Sequence, residues 1–127
     1  MENNEVIEVY HFDMNAAMHS GKALYFMRPE VKDVEHLAEK GIYHKVAEVK
    51  TSDLEIAFDK TNHIDKAWQE NKDVISFTDK ARSTSVGDVC IKGEEVFVVS
   101  SVGFEKISSD IKNLLQSSLK KNKRYNI

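Results

Sequence analysis

The chain predicts a single α+β domain built on a mainly antiparallel, twisted sheet of about five strands, with two or three helices packed on it. Three observations carry that expectation. The chain has 127 residues, a size at which one domain buries a real core without staples. Short runs rich in β-branched and aromatic residues alternate with polar ones, as half-buried strands do. The helical stretches between them carry apolar residues at spacings of three and four, but strand and helix do not alternate as regular βαβ units, which favours α+β.

Each element has its own signal. Glu5 to Phe12 supplies Val6, Ile7, Val9, Tyr10 and Phe12 and reads as the first strand. The polar, small segment from Asp13 to Gly21 suits a short helical turn, and Ala23 to Met27 is an apolar run for a strand or a core-plugging loop. Pro29 suits a first helical turn; Val31, Val34, Leu37 and Ala38 follow at helical spacing, and Gly41 supplies a stop, so a helix spans Pro29 to Lys40. Ile42 to Lys50 alternates as a strand, and Ser52 with Glu55 forms a capping box for a helix reaching Thr61.

The segment from Asn62 to Asn71 has no clean period and is expected to be a loop with one helical turn around Trp68. Val74 to Phe77 is a short strand, and Arg82 to Ser85 a loop. Gly87 to Lys92 and Glu95 to Ser101 pair as a hairpin turning at Lys92-Gly93-Glu94. Large apolar groups on both faces of its second strand, Val96 and Val98 against Phe97 and Val99, place it inside the sheet. Gly103 permits a tight change of direction before a last strand from Phe104 to Ile107. Ser108 or Ser109 then caps a C-terminal helix, 109–123, that is peripheral or oligomerising, with Ile111, Leu114, Leu115 and Leu119 along one face.

Composition excludes several function classes. A formal net charge of −3 and a pI near 5.9 fit neither a wholly basic nucleic-acid binder nor a strongly acidic DNA mimic. The single Cys90 rules out an intramolecular disulfide and is consistent with a reducing compartment. The acidic start, Met1-Glu-Asn-Asn-Glu5, does not read as a signal peptide, and no apolar run is long enough to span a membrane, so no membrane association is expected.

The five histidines, His11, His19, His36, His44 and His63, match no standard metal spacing, so no metal and no cofactor is expected. His11 with Asp13 and His63 with Asp65 each place two titratable groups two residues apart, on one face of an extended backbone. Thr61 to Asn71 concentrates hydrogen-bonding side chains and the only tryptophan in an irregular segment. There Asn62 and Asp65 also suit capping roles, and Trp68 also suits closure of the core. Arg82-Ser83-Thr84-Ser85 offers a guanidinium and three hydroxyls to an anion, or satisfies its own backbone in a turn with Asp88 capping the bend at Gly87. A triad of Ser83 or Ser85 with His63 and Asp65 lacks a nucleophile elbow, and no residue is assigned a catalytic role.

The basic cluster Lys120, Lys121, Lys123 and Arg124, with Lys112 before it, suits phosphate-backbone or partner contact as well as a solvated helix end. Tyr125 and Ile127 suit docking on a partner chain, and Lys22 and Arg28 around Tyr25 and Phe26 form a weaker mixture of cations and aromatics.

Asn62-His63-Ile-Asp65-Lys-Ala-Trp68, followed by Arg82-Ser-Thr-Ser-Val-Gly-Asp88 and then by the apolar strand ending in Gly103-Phe104, resembles a family of small bacteriophage, plasmid and mobile-element proteins. That family shares the patterns Asn-His-x-Asp-x-x-Trp and Arg-Ser-x-Ser-Val-Gly-Asp and is distantly similar to YodL-like domains. The likeness covers about Tyr43 to Ile107. It implies a setting, an accessory protein in the cytoplasm of a bacterial host cell, and it implies that His63, Asp65, Trp68, Arg82, Ser83 and Ser85 share one surface. The expected function is a non-enzymatic binding module for a host protein or nucleic acid. Two alternatives stand beside it: a nucleic-acid- or nucleotide-processing enzyme using His63, Asp65 and Arg82, and a dimeric structural protein assembled through the C-terminal helix.

Overall fold

The computed structural model describes residues 5–13, 31–39, 41–63, 67–78 and 81–116. Its strands are β1 (Ile7–Phe12), β2 (Tyr43–Val49), β3 (Val74–Ser76), β4 (Val89–Lys92), β5 (Glu95–Ser100) and β6 (Gly103–Ile107). Its helices are α1 (Val31–Glu39), α2 (Leu54–Lys60) and α3, whose described part is residues 110–116. A single turn of 3₁₀ helix covers Trp68–Glu70. The expected α+β class is the one observed. The sheet has six strands, in the order β3-β2-β1-β4-β5-β6, and every described pairing is antiparallel. That is one strand more than the expected count of about five.

Local chemistry explains where the elements stop. α1 ends at Gly41, whose φ of 70° places it in the left-handed region. The Gly41 amide donates to Ala38 and that of Ile42 to Leu37, the paired bonds of a Schellman cap. α2 is capped by Asp53, which accepts from the Glu55 and Ile56 amides. The cap therefore lies one residue after the expected Ser52, and with Ile56 three residues beyond it no capping box forms. Thr51 Oγ1 accepts the Asp53 amide at 3.0 Å, holding the carboxylate at the capping position. The β4–β5 hairpin closes on the pair Lys92↔Glu95, with Gly93 at a φ of 61°. The expected strand from Gly87 begins only at Val89, because Gly87, with a φ of 96°, and Asp88 form a bulge against Val99 of β5. The Gly87 amide donates to the Val99 carbonyl and the Val99 amide to the Asp88 carbonyl, each at 2.9 Å.

Both sheet faces are covered. Tyr10, Phe12, Tyr43, Val89, Ile91, Val96 and Val98 point to one face, where Val34, Leu37 and Ala38 of α1 and Ile111 and Leu115 of α3 pack on them. Ile7, Val9, Ala47, Val49 and Cys90 point to the other, beneath Ala57 of α2 and Trp68. A β-bulge on β2 lets both patterns persist: Val9 pairs with Ala47 but Tyr10 pairs with Lys45, so Val46 is the extra residue. β5 is internal, as its two apolar faces require, while the edge strand β6 exposes Glu105 and Lys106. The expected helical turn after Asp13, the apolar run at 23–27 and the end of the C-terminal helix lie outside the described residues.

Candidate functional site

The loop segments 61–63 and 67–71 meet the loop 81–88 over the ends of β1 and β2, and residues singled out in the sequence join them. Trp68 is fully buried in the core cluster, and its indole Nε1 donates to the Arg82 carbonyl at 2.9 Å. The His63 amide donates to Ser83 Oγ at 2.9 Å. His63 Nδ1 accepts the Trp68 amide at 3.2 Å, and Nε2 lies 3.1 Å from the Ala81 carbonyl. A carbonyl only accepts, so Nε2 carries the proton and the ring is held as the neutral Nε2–H tautomer. With the Nδ1 lone pair already taken, the exposed imidazole has no lone pair directed at a substrate.

Arg82 is anchored just as fully. Nη1 donates to Asp88 Oδ2 at 2.6 Å and to the Ser83 carbonyl at 3.0 Å. Nη2 donates to Asp88 Oδ1 at 2.8 Å and to the Phe12 carbonyl at 3.0 Å. The guanidinium also stacks on the Phe12 ring, 4.8 Å from its centroid. Burial works against the guanidinium charge, but the hydrogen bonds and attraction of Asp88 more than offset it, and the Arg82 pKa is raised.

Asp88 is the centre of the arrangement. It is fully buried, and besides Arg82 it accepts the Phe12 amide on Oδ1 at 3.0 Å and the Ser85 amide on Oδ2 at 2.7 Å. Four donors thus fill the roughly four lone-pair directions of the carboxylate. The Tyr43 hydroxyl donates to the Gly87 carbonyl at 2.7 Å, fixing the same bend from β2.

A second chain of polar groups runs beneath. Thr61 Oγ1 donates to the Ala57 carbonyl at 2.8 Å, and Thr84 Oγ1 donates to Thr61 Oγ1 at 2.7 Å. With its own proton committed, Thr84 accepts from His11 Nε2 at 2.8 Å, so His11 is also the Nε2–H tautomer. His11 is 5% exposed, lies 3.8 Å from Asp88 and meets Trp68 edge-on. Burial lowers its pKa to about 4; Asp88 raises it and Arg82 lowers it further.

The structure thus brings His63, Trp68, Arg82 and Ser83 into one bonded unit, with the exposed Ser85 side chain beside it. Asp65 and the basic residues Lys120, Lys121, Lys123 and Arg124 lie outside the described residues. Among the described residues, Ser83 Oγ and the His63 ring do not bond each other as a triad would need: the ring bonds the Trp68 amide and the Ala81 carbonyl, and Ser83 Oγ accepts the His63 amide. Nor do His11 and Asp13 pair: Asp13 reaches His44 at 3.0 Å across the sheet, whereas His11 turns inward to Thr84. The sequence carried a signal for this that the spacing argument passed over. His11 shares the inward face with Ile7 and Val9, and a histidine at a core position needs a buried polar partner.

Among the described residues no group of three or more His, Cys, Asp or Glu could hold a metal ion, and no helix is long and apolar enough to cross a membrane. No protein-family model matches the chain, and comparisons with curated proteins and with solved structures find no match.

Proposed function

We propose that this chain is a non-enzymatic binding module, an accessory protein of a phage or mobile element that engages a host protein in the bacterial cytoplasm. The observation that carries the reading is the closure of the candidate site on itself. Arg82 spends its guanidinium on Asp88 and two carbonyls, and His63 spends both ring nitrogens on backbone groups. A general base needs a free lone pair, and an anion site needs free donors. Among the described residues the His63 ring keeps no free lone pair, and of the five guanidinium N–H groups of Arg82 only Nε–H is uncommitted, which weighs against the nucleotide-processing alternative. It also weighs against phosphate contact by this loop, and so favours a protein partner over nucleic acid.

What the two loops offer instead is a rigid, cross-braced surface with His63, Ala67, Glu70 and Ser85 exposed on it. Preorganisation of that kind lowers the ordering cost of binding a protein surface. The mobile-element setting rests on the resemblance of the two motifs.

The test is affinity capture from bacterial lysate with the wild type and with Ser85→Arg, which alters the surface without touching the side-chain bonds beneath it. A nuclease-resistant protein retained by the wild type and lost in the variant supports the reading. Capture of nucleic acid alone supports the other binding partner, and retention of nothing overturns both.

A further inference from the structure

We infer that His11 is the trigger of an acid-released latch, whose protonation frees the 81–85 segment from the sheet while the sheet itself stays folded. The inference concerns the free chain and stands whether or not that surface binds a partner.

Geometry leaves a protonated His11 nowhere to go. In the neutral ring, Nε2–H feeds the directed chain through Thr84 and Thr61 to the Ala57 carbonyl. Protonation adds an Nδ1–H donor, for which the described residues provide no acceptor. The nearest carboxylate, Asp88, already takes four N–H groups, two of them from Arg82. The new charge also lies close to the Arg82 guanidinium, which shares Asp88 with it. From β2, the cross-strand neighbour is His44, occupied by Asp13. Thr61 at the end of α2 and the edge of Trp68 bring only uncharged groups.

Water is then the cheapest remedy, and the described residues leave it a route to His11 that spares the sheet. β1 is held on both sides by β2 and β4, but Ala81, Arg82 and Ser83 are half-buried and Ser85 is exposed. Lifting that segment breaks the Thr84–Thr61 and Ser85–Asp88 bonds together with those of Arg82 to Asp88, Phe12 and the Trp68 indole and those of His63 to Ala81 and Ser83. The open form is therefore a minor state, whose population acid raises by hydrating the imidazolium.

The test is amide exchange of the free protein between pH 6.5 and 4, read as protection factors. The Thr84 and Ser85 amides are expected to lose up to about tenfold in protection per pH unit. Throughout, they should remain less protected than the core amides of β1 and β4. In His11→Gln, which keeps a donor for Thr84 but cannot titrate, their protection should not vary with pH. In the wild type, the His11 ring nitrogen signals should titrate together with the opening, which needs no variant. Exchange of Thr84 and Ser85 at the same rate as the core, an identical pH dependence in His11→Gln, or protection that stays level to pH 4 would each overturn the latch.

Discussion

Asp88 grips Arg82 with both oxygens, at 2.6 and 2.8 Å, although the carboxylate is fully buried and the guanidinium side chain keeps a third of its surface in water. That asymmetry decides which partner can be removed more cheaply. An arginine released from its partner rehydrates, whereas a buried carboxylate cannot.

Asp88→Ala is expected to cost about 3–5 kcal/mol, the range for breaking a buried ion pair, because it also orphans the Phe12 and Ser85 amides. Asp88→Asn keeps one acceptor oxygen and should fall between alanine and the wild type. Urea unfolding of the three proteins checks the order; equal stability of Asp88→Ala and wild type would contradict it.

Stability should fall as the pH drops from neutrality, and His11 sets part of the window. Its folded pKa of about 4 lies below its ordinary 6.5, so above 6.5 neither state is protonated and nothing is lost. Between 6.5 and 4 the unfolded chain takes a proton that the closed fold refuses, and below 4 the loss levels off. The contribution is at most on the order of 3 kcal/mol, less whatever local opening relieves. The difference between wild type and His11→Gln, measured by denaturant unfolding across this range, isolates it from the carboxylates.

Asp53→Ala should destabilise the protein by about 1 kcal/mol through loss of the α2 cap, while Ser52→Ala should change stability by less than about half of that. Thermal melts of the two variants separate the observed cap from the one its neighbour suggested. A larger loss at Ser52 would show that the cap had been assigned to the wrong residue.

The Cys90 thiol should be inert in the native protein. It is fully buried, and burial, with Asp88 nearby, raises its pKa to about 12. A thiol reagent at pH 8 should react at a rate set by unfolding, and should become fast in denaturant. Rapid native labelling would show that this face of the sheet opens.

Trp68→Phe should cost about 1–3 kcal/mol, since it leaves the Arg82 carbonyl without the indole donor inside a filled core. The readout is denaturant unfolding together with the environment of the 81–85 amides. A variant as stable as the wild type would mean that Trp68 closes the core without bracing the loop.

The sequence by itself determined the elements. Alternation marked β1, β2, β4 and β5, apolar spacing marked α1, and Gly41 and Gly93 marked a helix end and a hairpin turn, because each depends on neighbours within a few residues. That the two loops share one surface was implied only by the resemblance of their two motifs. Tertiary structure alone decided what those motifs do. Asp88 meets Phe12 across 76 residues, and His11 meets Thr84 across 73. No periodicity records such pairs, which exist because the strand order sets β1 beside β4 and the loop at 81–88 over its end. Arg82 read as a cation offered to a ligand until the fold supplied its counter-ion from six residues away.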